Sequence, residues 1–227
     1  GKHKFCKNCP WNPIIVGPIA FGVSCKEHGI DWSSNDKAIS IQIVQDPAGT
    51  TPEITGRLCF VHNSKNPTDK TAKHAYDLWN AAVSFDIEGD IDPYLKKHYW
   101  TNALLHGADK KNQNLRKSKV LEAARKCCAQ LLHAQIIQLS PSVIISNGEY
   151  AANSLAYIGL LSKQWGELKQ NFDNGVYTEN NKLPSGKEVK VFSTYHTAIT
   201  PINTIIAGLY TQRLQIMLDE KLREYIH

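Results

Sequence analysis

The chain has 227 residues, of which 42% are hydrophobic and 21% are charged, and its formal net charge at pH 7 is +5. This length suffices for one α/β domain with a single core, and no apolar run is long enough to cross a bilayer. The N-terminus lacks the apolar core of a signal peptide, so we expect a cytoplasmic (intracellular) protein, acting as a monomer. Its positive charge suits a polyanionic partner, and its six cysteines favour metal binding or buried thiols over disulfides.

Residues 1–36 are an irregular, proline-broken segment with two short knuckles. Cys6 and Cys9 are separated by two residues, and so are Cys25 and His28. Such a tight turn directs both side chains toward one metal ion. Zinc would use these four side chains, whereas a [4Fe-4S] cluster prefers thiolates. We therefore predict a metal-binding segment that packs on a larger domain of residues 37–227.

The first core strand is predicted at residues 39–44, which alternate and then run apolar with β-branched side chains. Gln45 follows, and the next residues have the composition of a turn: Asp46, Pro47, Ala48 and Gly49. A carboxylate thus follows a core strand, where open α/β sheets hold their ligands. Taken alone, an Asp-Pro pair at a strand end also opens ordinary turns.

Two later strand-like runs carry polar side chains at or near their ends. Residues 99–105 include Asn102, and residues 189–198 include His196. The other predicted elements are helices at residues 69–83, 120–139, 149–161 and 202–225, a strand at residues 143–146, a basic loop at residues 106–119 and an irregular excursion at residues 171–187. Because strands and helices alternate, we predict a parallel sheet flanked by helices.

Taken together, these motifs resemble the uracil-DNA glycosylase superfamily. Gln45-Asp46-Pro47 and Leu58-Cys59-Phe60 are similar to motifs of the family 1 enzymes, and Thr101-Asn102-Ala103 is similar to segments of several branches. Tyr195-His196-Thr197-Ala198 stands where the superfamily has His-Pro-Ser. Cys128, Leu132, Gln135 and Ile136, followed by a strand that ends at Asn147-Gly148, resemble the iron-sulfur family 4 branch. The resemblance spans residues 39–201 and implies a three-layer α/β/α fold with a central, mostly parallel, four-stranded sheet.

This resemblance implies a monofunctional DNA glycosylase, which flips a uracil-type or C5-modified pyrimidine out of DNA and hydrolyses its N-glycosidic bond. Asp46 would act on the sugar side and His196 on the base carbonyl. The implied base-binding residues are Gln45, Pro47, Ala48, Gly49, Phe60 as the stacking ring and Asn102 as the reader of the base edge. The implied DNA-binding residues are Lys110, Lys111, Arg116, Thr197 and Ile199, although a solvated loop also explains the three basic ones.

Two departures from the superfamily pattern leave alternatives open. Ala48 stands where family 1 enzymes have the tyrosine that bars thymine, so a defence glycosylase for bulky modified phage bases, such as glucosylated hydroxymethylcytosine, is one alternative.

His106 stands where the iron-sulfur branch has a cysteine ligand. We expect a [4Fe-4S] cluster on Cys6, Cys9, Cys25 and Cys128, with zinc on the N-terminal knuckles as the alternative. Two other functions are alternatives to a DNA glycosylase: a catalytically redirected nucleic-acid-binding module and a hydrolase of free nucleosides.

Overall fold

A computed structural model describes residues 15–16, 38, 40–45, 98–105, 107–108, 119–173 and 175–196. The strands in these residues are β1 (Ile15–Val16), β2 (Ser40–Val44), β3 (His98–Asn102), β4 (Gly107–Ala108), β5 (Val143–Asn147), β6 (Val176–Lys182) and β7 (Glu188–Thr194). The helices are α1 (Lys119–Leu139), α2 (Glu149–Tyr157) and α3 (Trp165–Gln170). The predicted helices at residues 69–83 and 202–225 lie outside the described residues.

The main sheet has five strands in the order β3-β2-β5-β7-β6. The first four are mutually parallel, and β6 pairs antiparallel with β7 from Val176↔Thr194 to Lys182↔Glu188. The expectation of a mostly parallel sheet is confirmed, but the expected four strands were one too few. The additional strand β6 lies inside the segment that was predicted to be irregular. It was not recognised as a strand because its sequence, VYTENNK, is largely polar and half-exposed.

The main hydrophobic cluster of the described residues lies on one face of this sheet. Every residue of β2 and β5 is buried, as is typical of central parallel strands. The residues of one sheet face that join the core cluster are Ile41 and Ile43 of β2, Tyr99 of β3, Ile144 of β5 and Val191 of β7. They cluster with helix residues that include Leu132 and Ile136 of α1, Leu155 of α2 and Leu168 of α3. Each such aliphatic side chain contributes about 1.5–3 kcal/mol through burial.

Helix α1 confirms the helix predicted at residues 120–139, and its end has a clear cause. Pro141 cannot continue the helix, and Ser140 takes a positive φ of 46°. The Ser140 carbonyl accepts a hydrogen bond from Lys187 Nζ at 2.5 Å. Thr101 Oγ1 donates to Gln135 Oε1 at 3.0 Å, which ties α1 to β3.

Helix α2 ends earlier than predicted, at Tyr157 rather than near residue 161. Gly159 has φ +79°, its N–H donates to Ala156 O at 3.2 Å, and the Leu160 N–H donates to Leu155 O at 2.9 Å. These two bonds define a Schellman motif, which satisfies the last carbonyls and stops the helix. Gly159 therefore ends α2, although the apolar periodicity that predicted the helix continues to residue 161.

A separate two-stranded ladder joins the N-terminal segment to the chain after β3. In it β1 pairs antiparallel with β4, with Ile15 opposite Ala108 and Val16 opposite Gly107. The division into a segment of residues 1–36 and a domain of residues 37–227 remains a prediction. Among the described residues, no helix combines the length and the apolar character that crossing a membrane requires.

Candidate active site

The carboxyl ends of the four parallel strands meet at one edge of the sheet. These strands end at Val44, Asn102, Asn147 and Thr194. Val44 is opposite Asn102, and Asn147 is opposite Thr194. Because side chains alternate along each strand, these aligned residues belong to one face of the sheet. A row with two asparagines and a threonine, all buried, is therefore placed where α/β sheets bind ligands.

The topological switch point of the sheet lies between β2 and β5. The β2–β5 register stops at Ile43↔Ser146, whereas β2 stays bonded to the β3 side one step further. There the Ala103 N–H donates to Val44 O at 2.8 Å and the Leu104 N–H donates to Gln45 O at 2.9 Å. From β2 the chain goes on to β3 on one side, and from β5 it goes on to β7 on the other. Such a reversal of direction is the topological switch point at which open sheets form their binding crevice.

Three predicted site residues lie at this edge. Gln45 directly follows β2 and is half-buried, Asn102 ends β3 with 5% of its surface exposed, and His196 is half-buried just after β7. Asp46, the proposed catalytic carboxylate, is the residue after Gln45 and lies outside the described residues. Also outside them are Pro47, Ala48, Gly49, Phe60, Lys110, Lys111, Arg116, Thr197 and Ile199.

Asn102 and His196 lie on opposite sides of the switch point. Their strands β3 and β7 are separated by β2 and β5, so the strand backbones lie about 14 Å apart at a spacing of about 4.8 Å. A ligand that contacts both residues would therefore lie over the ends of β2 and β5.

Gly148 sets the backbone against which His196 packs. Its φ of +84° and ψ of −177° lie in a region that only glycine occupies readily. Its N–H donates to Thr194 O at 2.8 Å, which extends the β5–β7 pairing past the strand end. A Cβ on this residue would come within 3.1 Å of the His196 Cβ. The turn into α2 and the histidine are thus in direct contact.

Tyr195, the residue before the histidine, belongs to a cluster of three aromatic rings. Its ring is edge-on to those of Phe172 and Trp165, with centroid separations of 5.2 and 5.9 Å. Trp165 and Phe172 complete the triangle at 5.5 Å. Edge-to-face pairs contribute about 0.5–1.5 kcal/mol each beyond their burial. Tyr195 therefore packs against other aromatic rings, and the cluster holds the chain that leads into His196.

Asn147 belongs to this edge, although the sequence interpretation treated it only as part of a turn. Its side chain is fully buried, and Nδ2 donates to the Ile43 carbonyl at 3.4 Å. The other amide atom, Oδ1, is buried without a hydrogen-bond partner. An unpaired buried acceptor costs about 1–3 kcal/mol. The signal was present in the sequence: a polar residue at the end of an apolar strand is the same pattern that indicated Asp46 and Asn102.

Cys128 is the one proposed metal ligand among the described residues; Cys6, Cys9, Cys25 and His28 lie outside them. Its side chain is buried on α1. Arg125, one turn earlier and thus on a neighbouring part of the helix surface, is also buried, with 4% of its surface exposed. Arg125 Nε donates to Glu122 Oε2 at 2.9 Å and Nη2 donates to Glu122 Oε1 at 2.5 Å, but Nη1 has no partner.

The bond from Arg125 holds the pKa of Glu122 below its ordinary value. The described residues contain no group of three or more His, Cys, Asp or Glu side chains that could hold a metal by themselves. Arg125 precedes Cys128 by about one helical turn, and a negatively charged metal–thiolate centre at Cys128 would be an acceptor for the unpaired Nη1. The ligand role of Cys128 remains a prediction.

These features define an α/β protein with buried polar residues at the switch-point edge of a mostly parallel sheet. The family model of the Uracil DNA glycosylase superfamily matches residues 40–201 of the chain. That match includes β2 through β7 and covers well over half of the sequence, so the chain belongs to the Uracil DNA glycosylase superfamily. Among curated proteins, none matches the chain. Membership supports a DNA glycosylase-type function, that of a hydrolase in DNA repair with DNA as its substrate.

Proposed function

We propose that this protein is a monofunctional DNA glycosylase that excises a uracil-type or C5-modified pyrimidine and leaves an abasic site. The observation that carries the proposal is the common position of Gln45, Asn102 and His196 at the carboxyl edge of one parallel sheet. Asp46 is covalently next to Gln45, so the proposed carboxylate belongs to the same end of β2. The superfamily match supports the same class of reaction.

The proposed reaction is the hydrolysis of the bond between sugar C1′ and the base nitrogen. A water oxygen bonds to C1′, the electrons of the broken bond go to the base, and Asp46 takes the proton of the water. Asp46 also stabilises the positive charge that develops on the sugar, while neutral His196 donates to the base carbonyl as negative charge gathers there. No lysine occupies a motif position from which it could form a Schiff base, which favours a monofunctional enzyme.

Recognition of the base is proposed to involve Asn102 and Phe60. The target nucleotide must leave the duplex before its edge can be read. The Asn102 amide offers one donor and one acceptor to a pyrimidine edge, and Phe60 offers an aromatic face for stacking. The backbone N–H groups near Gly49 add donors for the base or the water.

The substrate is proposed to be uracil, with room for larger bases. Ala48 and Gly49 are small where family 1 enzymes have a tyrosine and a histidine, so substituents at pyrimidine C5 meet less bulk. The iron-sulfur branch also lacks that tyrosine and still removes uracil. A defence enzyme against glucosylated hydroxymethylcytosine in phage DNA is the second candidate, and it rests on the same two small residues.

The metal is proposed to be a [4Fe-4S] cluster held by Cys6, Cys9, Cys25 and Cys128, which would brace the fold. The support from the described residues is the unpaired Nη1 of Arg125 close to Cys128. Purified protein that is brown, with absorbance in the blue and iron and sulfide in equal amounts, would support the cluster. A colourless protein that releases zinc on denaturation would instead support Cys6, Cys9, Cys25 and His28.

The test of function is to incubate the protein with oligonucleotides that carry uracil, a thymine mismatch, hydroxymethylcytosine or its glucosylated form, followed by alkaline cleavage of abasic sites. We expect strand scission on at least one of them, and we expect Asp46→Asn to lower the rate about 100-fold or more, since it removes the general base. Glu188→Gln is the control, because it neutralises an exposed carboxylate at the opposite end of β7.

The outcomes separate the competing functions. Unchanged excision by Asp46→Asn would remove Asp46 from its role. A stable protein–DNA adduct, or binding without released base, would support a redirected binding module. Turnover of free nucleosides without DNA would support a nucleoside hydrolase.

A further inference from the structure

Asn147 is a buried polar side chain that links the two strands on either side of the switch point. Its Nδ2 on β5 reaches the Ile43 carbonyl on β2 at 3.4 Å, at the last main-chain pair between these two strands. Its Oδ1 is buried without a hydrogen-bond partner. The side chain therefore adds a cross-strand hydrogen bond at the carboxyl end of the β2–β5 ladder.

The position of this contact gives it a specific consequence. Ile43 precedes Val44 and Gln45, which stay bonded through their carbonyls to the chain after β3. Ile43 is the last residue of β2 that pairs with β5, and Asn147 Nδ2 adds a side-chain hydrogen bond to its carbonyl. Asp46 follows directly in the chain, so the side chain of Asn147 acts on the strand end that carries the proposed catalytic carboxylate.

We propose that Asn147 is a positioning residue for Asp46, an inference that rests on the proposed glycosylase function. Nδ2 holds the end of β2 against β5 through Ile43. Asn147 does not touch the substrate; it sets the backbone from which Asp46 approaches the sugar.

The first test replaces the amide with an apolar side chain of similar volume, Asn147→Leu. We expect the single-turnover excision rate to fall about tenfold or more, while the affinity for DNA stays within about twofold, because misplacement of a catalytic group affects the chemical step and not phosphate binding. Hydrogen–deuterium exchange of the peptide spanning residues 40–50 should become faster, and exchange in α1 should not change.

Asn147→Asp supplies a second readout that a purely structural role does not predict. A protonated carboxyl group has the shape of the amide, with an O–H donor for Ile43 and a carbonyl acceptor, whereas the ionised form has no donor. Burial raises the pKa of such a carboxyl group. We therefore expect the excision rate of this variant, relative to the wild type, to recover as the pH falls.

Ser146→Ala is the matched control, since Ser146 is adjacent on β5, is fully buried and also has an unpaired polar atom, but belongs to the opposite face. Its excision rate and exchange should match the wild type. If Asn147→Leu leaves both the rate and the exchange of residues 40–50 unchanged, or if exchange rises evenly over the whole sheet, the positioning role is wrong. If the wild type excises none of the four bases, the glycosylase proposal fails. The exchange measurement still decides whether Asn147 holds the end of β2.

Discussion

Gly148 and His196 illustrate how a single backbone position can constrain a side chain that is proposed to be catalytic. The glycine has a conformation that other residues rarely adopt, and its Cα hydrogens face the histidine where a methyl group would be too close. Sequence inspection identified Asn147-Gly148 as a turn, but a contact between two segments this distant in the chain depends on strand order. That order is a property of the folded sheet and is not encoded in either segment alone.

Replacing Gly148 by alanine should therefore reduce both stability and activity. We expect a loss of about 1–3 kcal/mol in the free energy of unfolding from backbone strain, and more from the 3.1 Å contact, together with a lower excision rate as His196 shifts. Urea unfolding and single-turnover assays measure the two effects.

Gly159→Ala is the control for that substitution. Gly159 also has a positive φ, of +79°, but a Cβ there would meet nothing within 4 Å. It should lose about 1–2 kcal/mol from strain and keep its activity per folded molecule. Equal activity losses in the two variants would contradict a specific contact with His196.

At the level of elements, the sequence predicted the central strands well and the edge of the sheet poorly. β2, β5 and β7 carry apolar, β-branched runs because both faces of a central strand are covered, so their composition alone marks them. β6 has one half-exposed face and a sequence rich in Asn, Lys and Glu, so its pairing with β7 stabilises it more than its own propensity does. Helix α3 was missed for a similar reason: it is a short element of six residues whose position depends on its neighbours.

The aromatic cluster links α3 to the site, so Phe172→Leu should act at a distance. This change removes two edge-to-face contacts, with Trp165 and Tyr195, and should lower the free energy of unfolding by about 1–2 kcal/mol. We also expect a lower excision rate per folded molecule, because Tyr195 directly precedes His196. Chemical denaturation and single-turnover kinetics provide the measurements.

Tyr157→Leu is a suitable comparison for Phe172→Leu. The Tyr157 ring is 47% exposed on α2, where it contacts Lys126. Its loss should change stability by no more than about 0.5 kcal/mol and leave excision intact. A similar loss of activity in both variants would mean that the aromatic cluster has no special connection to the site.

For the whole molecule, the net charge of +5 predicts salt-sensitive binding to DNA. Each phosphate that a basic side chain neutralises releases counterions, and a fourfold rise in salt then costs about threefold in affinity per contact. The triple substitution of Lys110, Lys111 and Arg116 by alanine should lower the slope of log affinity against log salt by about 0.9 for each residue that contacts a phosphate. Fluorescence anisotropy at several salt concentrations measures this slope, and an unchanged slope would identify the loop as merely solvated.

The small ladder between β1 and β4 has a practical consequence for anyone who trims this protein. Ile15 lies between Cys9 and Cys25 in the sequence, yet it is hydrogen-bonded into a strand pair with residues that come shortly after Asn102. Deletion of the first 36 residues would therefore remove the strand that pairs with Gly107 and Ala108, a few residues after Asn102, the proposed reader of the base edge. Shortened versions should lose discrimination between bases before they lose the fold of the central sheet.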